Sequence, residues 1–170
     1  AAAVVAGCLE LKVPLTKITK ALSEFQGTAR RMEILGKYKG ALFIDDYAHH
    51  PTEIQATLLA LRQRHPKKNI ICAFMPHTYT RTKALFADFT SSFLNADEVI
   101  LLPIYGSARE KQGGASSEDL ASKIGKKARY IASVNACASY LKQRVNKNDA
   151  VVLMGAGNAF RVWDTLQITN

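Results

Sequence analysis

The chain has 170 residues, 48% of them hydrophobic, and a formal net charge of +9. That is enough apolar material for one domain with a buried core. The basic residues are spread along the chain, with no RNP-like aromatic motif, zinc-finger spacing or heptad beside them, so they suit a small anionic partner at least as well as nucleic acid and read best as solvated basic faces.

Ala1 to Leu11 is rich in strong helix formers, and after Pro14 an amphipathic pattern puts Leu15, Ile18, Leu22 and Phe25 on one face, ending at Gln26-Gly27. The opening run to Cys8 is apolar but short and lacks a basic flank, which predicts neither a signal peptide nor a membrane span. Met32 to Tyr38 and Ala41 to Ile44 are short β-like runs joined by Lys39-Gly40, a hairpin signal. Pro51 opens a helix that ends near His65-Pro66, and Ile70 to Phe74 then reads as a buried strand. Arg81 to Phe93 reads as a helix, Val99 to Leu102 as a strand, and Ser117 to Ile124 as a helix begun by a Ser-Ser-Glu-Asp cap. Ala128 to Ala132 (strand), Ala136 to Val145 (helix), Ala150 to Met154 (strand) and Ala159 to Leu166 (helix) complete the pattern. Apolar strands alternating with helices predict an α/β fold: a doubly wound, mainly parallel sheet with helices on both faces, Rossmann-like, preceded by two helices.

In such a sheet ligands bind beyond the carboxyl ends of the strands. The residues just past each strand are Asp45-Asp46-Tyr47-Ala48-His49-His50-Pro51, Met75-Pro76-His77-Thr78-Tyr79-Thr80-Arg81-Thr82, Pro103 to Glu110, and Gly155-Ala156-Gly157-Asn158. Two carboxylates and two imidazoles in the first segment can accept from ribose hydroxyls, hold a cation or orient an ammonium group. Asp45 and His50 are the members expected to serve only as a helix cap or as packing against the sheet. In the second segment, Arg81 among hydroxyls at a helix start is suited to clamp a carboxylate or phosphate, because the helix dipole disfavours a cation there unless an anion joins it. His65, before Pro66, is expected to be a cap. Gly155 to Phe160 lacks the third glycine of a dinucleotide fingerprint and follows the last strand, so a tight strand-to-helix turn is expected. The sequence has no GxxxxGK[ST] loop. Cys8, Cys72 and Cys137 are odd in number, widely separated and without CxxC or Cys/His spacing, which predicts free thiols in a reducing compartment and no metal site.

Asp45 to Glu53, Pro76 to Thr82, Ile104-Tyr105 with Ala108-Arg109-Glu110-Lys111, Phe25-Gln26-Gly27 with Arg30-Arg31-Met32-Glu33, and Met154 to Asn158 resemble, in this order and spacing, the UDP-N-acetylmuramate:L-alanine ligases of the muramyl ligase family. The double His followed by Pro points to the L-alanine-adding members. The resemblance covers the whole chain, but only about the last third of a three-domain enzyme. It implies that residues 1–26 are the helical tail of a central ATPase domain and residues 27–170 the carboxy-terminal ligase domain. It further implies a cytoplasmic enzyme that activates the muramate carboxylate with ATP as an acyl phosphate, which the amine of L-alanine then attacks. ATP and Mg would be bound mainly by the central domain, so this fragment alone would be inactive. The implied partners are L-alanine, ATP, UDP-N-acetylmuramate and the remaining domains of the polypeptide, with no nucleic acid and no membrane. By the same likeness Arg31 and Asp46 contact the nucleotide, His49 and His77 are catalytic, and Tyr47, His49, His77, Thr78 and Arg81 surround the amino acid. Many relatives carry Arg where this chain has Thr78, so Arg81 would act with hydroxyl or backbone help. Two rival readings, a stand-alone nucleotide- or anion-sensing domain and a basic nucleic-acid-binding domain, do not account for the ordered set of loops.

Overall fold

The computed structural model describes residues 2–25, 27–108, 110 and 113–168. Gln26, Arg109 and Lys111, which carry part of the resemblance, lie outside them. Helices α1 (Ala2–Glu10) and α2 (Leu15–Glu24) lead into strands β1 (Glu33–Tyr38) and β2 (Ala41–Asp46). Then follow α3 (Pro51–Arg64), β3 (Asn69–Phe74), α4 (Tyr79–Ala84), α5 (Phe86–Ser91), β4 (Glu98–Leu101), α6 (Ser117–Ile124), β5 (Ala128–Tyr130), α7 (Val134–Arg144), β6 (Asp149–Met154) and α8 (Arg161–Ile168).

The six strands form one sheet in the order β1-β2-β6-β3-β4-β5. Only β1 runs antiparallel, paired to β2 through the hairpin at Lys39 and Gly40, whose φ values of 49° and 79° are those of a primed two-residue turn. The last strand in sequence, β6, inserts between β2 and β3 and pairs parallel with both. Its exit loop therefore emerges between the loops that follow β2 and β3.

Alternation along the buried strands feeds two cores. Leu42 and Ile44, Ile70, Cys72 and Phe74, and Val152 and Met154 face one side with Ile54, Leu58, Phe89 and Leu120. Phe43, Ile71, Ala73, Val151 and Leu153 face the other with Cys137, Leu141, Val162 and Leu166. Burial pushes the Cys137 thiol up to about 12 and drives Cys72 upward too, so both behave as small apolar groups.

Several elements differ from expectation, among them β2, which runs on to Asp46, and β5, which ends at Tyr130. The helix expected over Arg81 to Phe93 starts at Tyr79 and breaks at Leu85, although the apolar spacing continues through the break. Beyond it Phe89 and Phe93 are buried, with ring centroids 5.7 and 5.5 Å from Phe74. The closing helix starts at Arg161 because the preceding turn is tightened by i to i+3 bonds, Arg161 to Asn158 and Val162 to Ala159. Helix α7 begins two residues early, capped by the Ser133 hydroxyl, which accepts from the Ala136 amide.

Candidate active site

β2 runs two residues further than expected, so Asp45 and Asp46 end the strand rather than follow it, and both are buried where the loop after β2 begins. Asp46 is 3% exposed. Its Oδ2 accepts from the Met32 amide at 2.9 Å, and its Oδ1 from the Ala48 amide at 2.8 Å and the Thr57 hydroxyl at 3.3 Å. The carboxylate expected to meet a nucleotide is thus engaged in shaping the loop and tying it to the segment before β1. His50 is the N-cap of α3, its Nδ1 accepting from the Thr52 amide, while Glu53 closes the capping box. His65 ends the same helix, its amide donating to the Leu61 carbonyl. The cap is the role expected for His65, whereas His50, expected to pack against the sheet, is exposed and caps the helix in place of an aspartate.

Asp45 is also buried, but it does not cap α3. Its Oδ2 accepts from Arg30 Nε at 2.9 Å, and its Oδ1 has no partner. Burial pushes the Asp45 carboxyl up, and the charge and hydrogen bond of Arg30 offset this only in part.

What the loop turns outward are Tyr47 and His49, whose rings meet edge to face at 5.4 Å. His49 Nδ1 lies 3.0 Å from the Tyr47 carbonyl oxygen. A carbonyl can only accept, so the contact places a proton on Nδ1 and leaves Nε2 of the neutral ring as an acceptor for the site. The His49 ring is 6.4 Å from that of His77, which stacks on Tyr105 at 5.9 Å. Arg31 is exposed, with its guanidinium carbon 5.5 Å from the centre of the Tyr47 ring, and it lines a cavity of about 600 Å³ with Thr28, Met32, Ile34 and Arg64.

The loop after β3 supplies His77, Thr78 and Arg81. Thr78 takes φ +68°, strained for a β-branched residue. Its hydroxyl accepts weakly from the Arg81 amide at 3.4 Å, so it is the N-cap of α4. The hydroxyl expected to help Arg81 hold a ligand also helps to start the helix that carries it. Glu110 reaches over the same helix end to accept from the Tyr79 and Thr80 amides. Hydrogen bonding from Thr80 first, then from the amides of Thr80, Tyr79 and Ser107, holds the Glu110 carboxyl at about 2 against its desolvation. One turn in, Arg81 Nη1 is buried with no hydrogen-bond partner, and so is Nδ1 of His77. Burial, reinforced by the Arg81 charge and by His49, holds His77 below the usual histidine range.

The loop after β6 completes the floor. The Gly155 amide donates to the Asp46 carbonyl, and Gly155 has φ +134°. A Cβ there would stand 2.4 Å from the Met75 carbonyl oxygen, and one on Gly157 would stand 3.0 Å from Tyr105. The glycines are needed because a central strand must leave the sheet beneath two neighbouring loops. This is the expected tight strand-to-helix turn.

Of the residues expected at the site, the structure gathers Tyr47, His49, His77 and Arg81 at one edge, sets Arg31 beside Tyr47, and turns Asp46 and the Thr78 hydroxyl inward. Arg30 was not expected at all. A double arginine before a strand reads as surface charge, and nothing local marks the first as half-buried.

The chain is similar to known proteins both in sequence and in fold. The UDP-N-acetylmuramate--L-alanine ligase of Desulfitobacterium hafniense (strain Y51) is 44% identical over 170 residues, 98% of this chain and 38% of that protein. That of Caldanaerobacter subterraneus subsp. tengcongensis is 44% identical over 89% of this chain and 34% of its own length. The chain thus spans little more than a third of the curated relatives it matches. Among solved structures, a UDP-N-acetylmuramate-alanine ligase from Thermotoga maritima superimposes with a TM-score of 0.78 at 25% identity, over 98% of this chain and 36% of that one. A pseudomurein peptide ligase type C from Methanothermus fervidus gives 0.73 at 21% identity, over 98% and 34%, a likeness of fold alone. The Mur ligase, glutamate ligase domain family matches residues 30–157, from the arginine before β1 to the glycine turn after β6, and the chain belongs to that family.

Proposed function

We propose that this chain is the amino-acid-receiving part of an enzyme that joins L-alanine to UDP-N-acetylmuramate at the expense of ATP, in peptidoglycan synthesis. The observation that carries the reading is the pair of buried, unpartnered polar atoms, Arg81 Nη1 and His77 Nδ1, both supplied by the segment after β3, with the His77 ring 6.4 Å from that of His49. A buried donor without a partner costs about 1–3 kcal/mol, so such a pair makes sense as one half of a ligand site. An α-amino acid suits it. Its carboxylate pairs with the Arg81 guanidinium, which places the amine near the two imidazoles.

In that pose His77, held neutral by burial and by Arg81, takes a proton from the ammonium group, as His49 can through Nε2. The freed amine forms its C–N bond at the acyl phosphate carbon, the C–O bond breaks, and phosphate leaves, taking up the second proton that the nitrogen sheds as it becomes an amide. An acyl phosphate must be shielded from water, and domain closure over this edge would supply the shielding. Arg31 and the cavity beside it are the surface we assign to the nucleotide. Asp46 would serve the nucleotide by fixing the Met32 amide next to Arg31. Among the described residues no cluster of three or more His, Cys, Asp or Glu side chains could hold a metal ion. We derive no step through Mg on this chain; its ligands would come from the rest of the polypeptide.

We assign residues 1–26 to a preceding unit and residues 27–170 to the ligase domain. Helix α1 buries none of its residues, α2 buries only Ile18, and Val4, Leu9, Leu11, Leu15, Leu22 and Phe25 are exposed, as expected of helices that pack on another unit. We place the enzyme in the cytoplasm, in keeping with the free Cys8, Cys72 and Cys137. No described helix is long and apolar enough to cross a membrane. The test is phosphate release by the full polypeptide, which should require UDP-N-acetylmuramate and L-alanine together. Release indifferent to the amino acid would overturn the reading.

A further inference from the structure

The guanidinium of Arg30 is hydrogen-bonded through two of its nitrogens and flanked by two aromatic rings. Nε donates to Asp45 Oδ2 at 2.9 Å, and Nη2 donates to the carbonyls of Gly155 at 2.7 Å and Gly157 at 3.1 Å. Its carbon lies 4.9 Å from the ring centres of both Tyr47 and Phe160. The backbone takes part as well. Arg30 has φ +58°, its amide donates to Glu33, and its carbonyl accepts from the Tyr47 amide at 2.7 Å. One residue therefore joins three separate segments: the lead-in to β1, the loop after β2 and the loop after β6.

A cation at this spot is costly. Asp45 remains raised despite its partner, and its Oδ1 is buried without a hydrogen bond, so the pair is not explained by its own stabilisation. What the arrangement delivers is placement. The fork reaches carbonyls on one side and a carboxylate on another while its faces pack against aromatic rings, a set of contacts that a lysine ammonium cannot reproduce. The Tyr47 ring is held from its amide and from its face, and it is the ring against which His49 rests.

We infer that Arg30 is a positioning residue: by clamping the loop after β2 to the loop after β6 it sets Tyr47, and through Tyr47 His49, at the amino-acid side of the site. This rests on the proposed function, and two experiments on the full polypeptide keep the two ideas apart. In hydrogen exchange, Arg30→Lys should speed exchange in residues 45–50 and 155–160 together, with β3 and β4 unchanged. That result requires no substrate. In steady-state kinetics, Arg30→Lys should raise the KM for the amino acid by roughly tenfold with kcat little changed. Combined with Tyr47→Leu it should do no more than the worse single variant, because both act through one ring. Additive effects would make Arg30 merely structural, and exchange unchanged in 155–160 would overturn the clamp. If the wild-type enzyme ignores amino acids, the ligase reading fails and the exchange result still decides the role of Arg30.

Discussion

Replacing Arg81 by methionine removes the guanidinium while keeping most of the apolar stem, and it separates a ligand-binding role from a structural one. In the free protein Arg81 Nη1 is buried without a hydrogen-bond partner. Deleting it relieves part of a desolvation cost of about 1–3 kcal/mol, reduced here because the side chain is only half-buried. The melting temperature of the ligand-free enzyme should stay level or rise by a few degrees, at roughly 2–4 °C per kcal/mol for a domain of this size. The bound state loses a charge-assisted hydrogen bond worth about 1.5–3 kcal/mol. That is a rise of roughly 10- to 150-fold in the KM for L-alanine, at about 1.4 kcal/mol per decade. Phosphate release by the full polypeptide, titrated with L-alanine at saturating ATP, measures the one, and thermal melting the other. An amino-acid KM within twofold of wild type, or a melting temperature that falls while the kinetics stand still, would refute the assignment.

Asp46→Asn leaves one acceptor oxygen for three donors and turns an NH2 group toward a backbone N–H. It should destabilise the fold by about 1–3 kcal/mol, and an unchanged melting temperature would show that the loop does not depend on this carboxylate. Glu110 titrates at about 2 in the folded chain, below the roughly 4.3 of an unfolded glutamate. Its contribution is therefore complete above about pH 4.3 and is lost as the pH falls toward 2. Glu110→Gln should lower the melting temperature at pH 6 and leave it unaltered near pH 2, and equal losses at both would contradict the pairing with Thr80.

The sheet, the hairpin and most helix limits were legible in the sequence because they rest on local physics. Continuous apolar runs can be buried only between two helical layers, Lys39-Gly40 can take the two positive φ values of the turn, and Ser116 and Gly125 bracket α6 at its expected limits. The loops bearing Tyr47, His49, His77 and Arg81 could be found because parallel strands present their carboxyl ends together. Their chemical roles came from resemblance to a family, since histidine and arginine in a loop are compatible with several ligands. Tertiary structure alone decided which of two adjacent aspartates pairs with an arginine and which ties down backbone amides. It also decided that Thr78 caps a helix, and that a chain with unbroken apolar spacing breaks at Leu85. For the aspartates the reason is that β6 sits between β2 and β3. The partners of Asp45, Arg30 and Gly155 are therefore more than a hundred residues away in sequence or across a loop that only pairing brings near, and no local pattern encodes a neighbour of that kind.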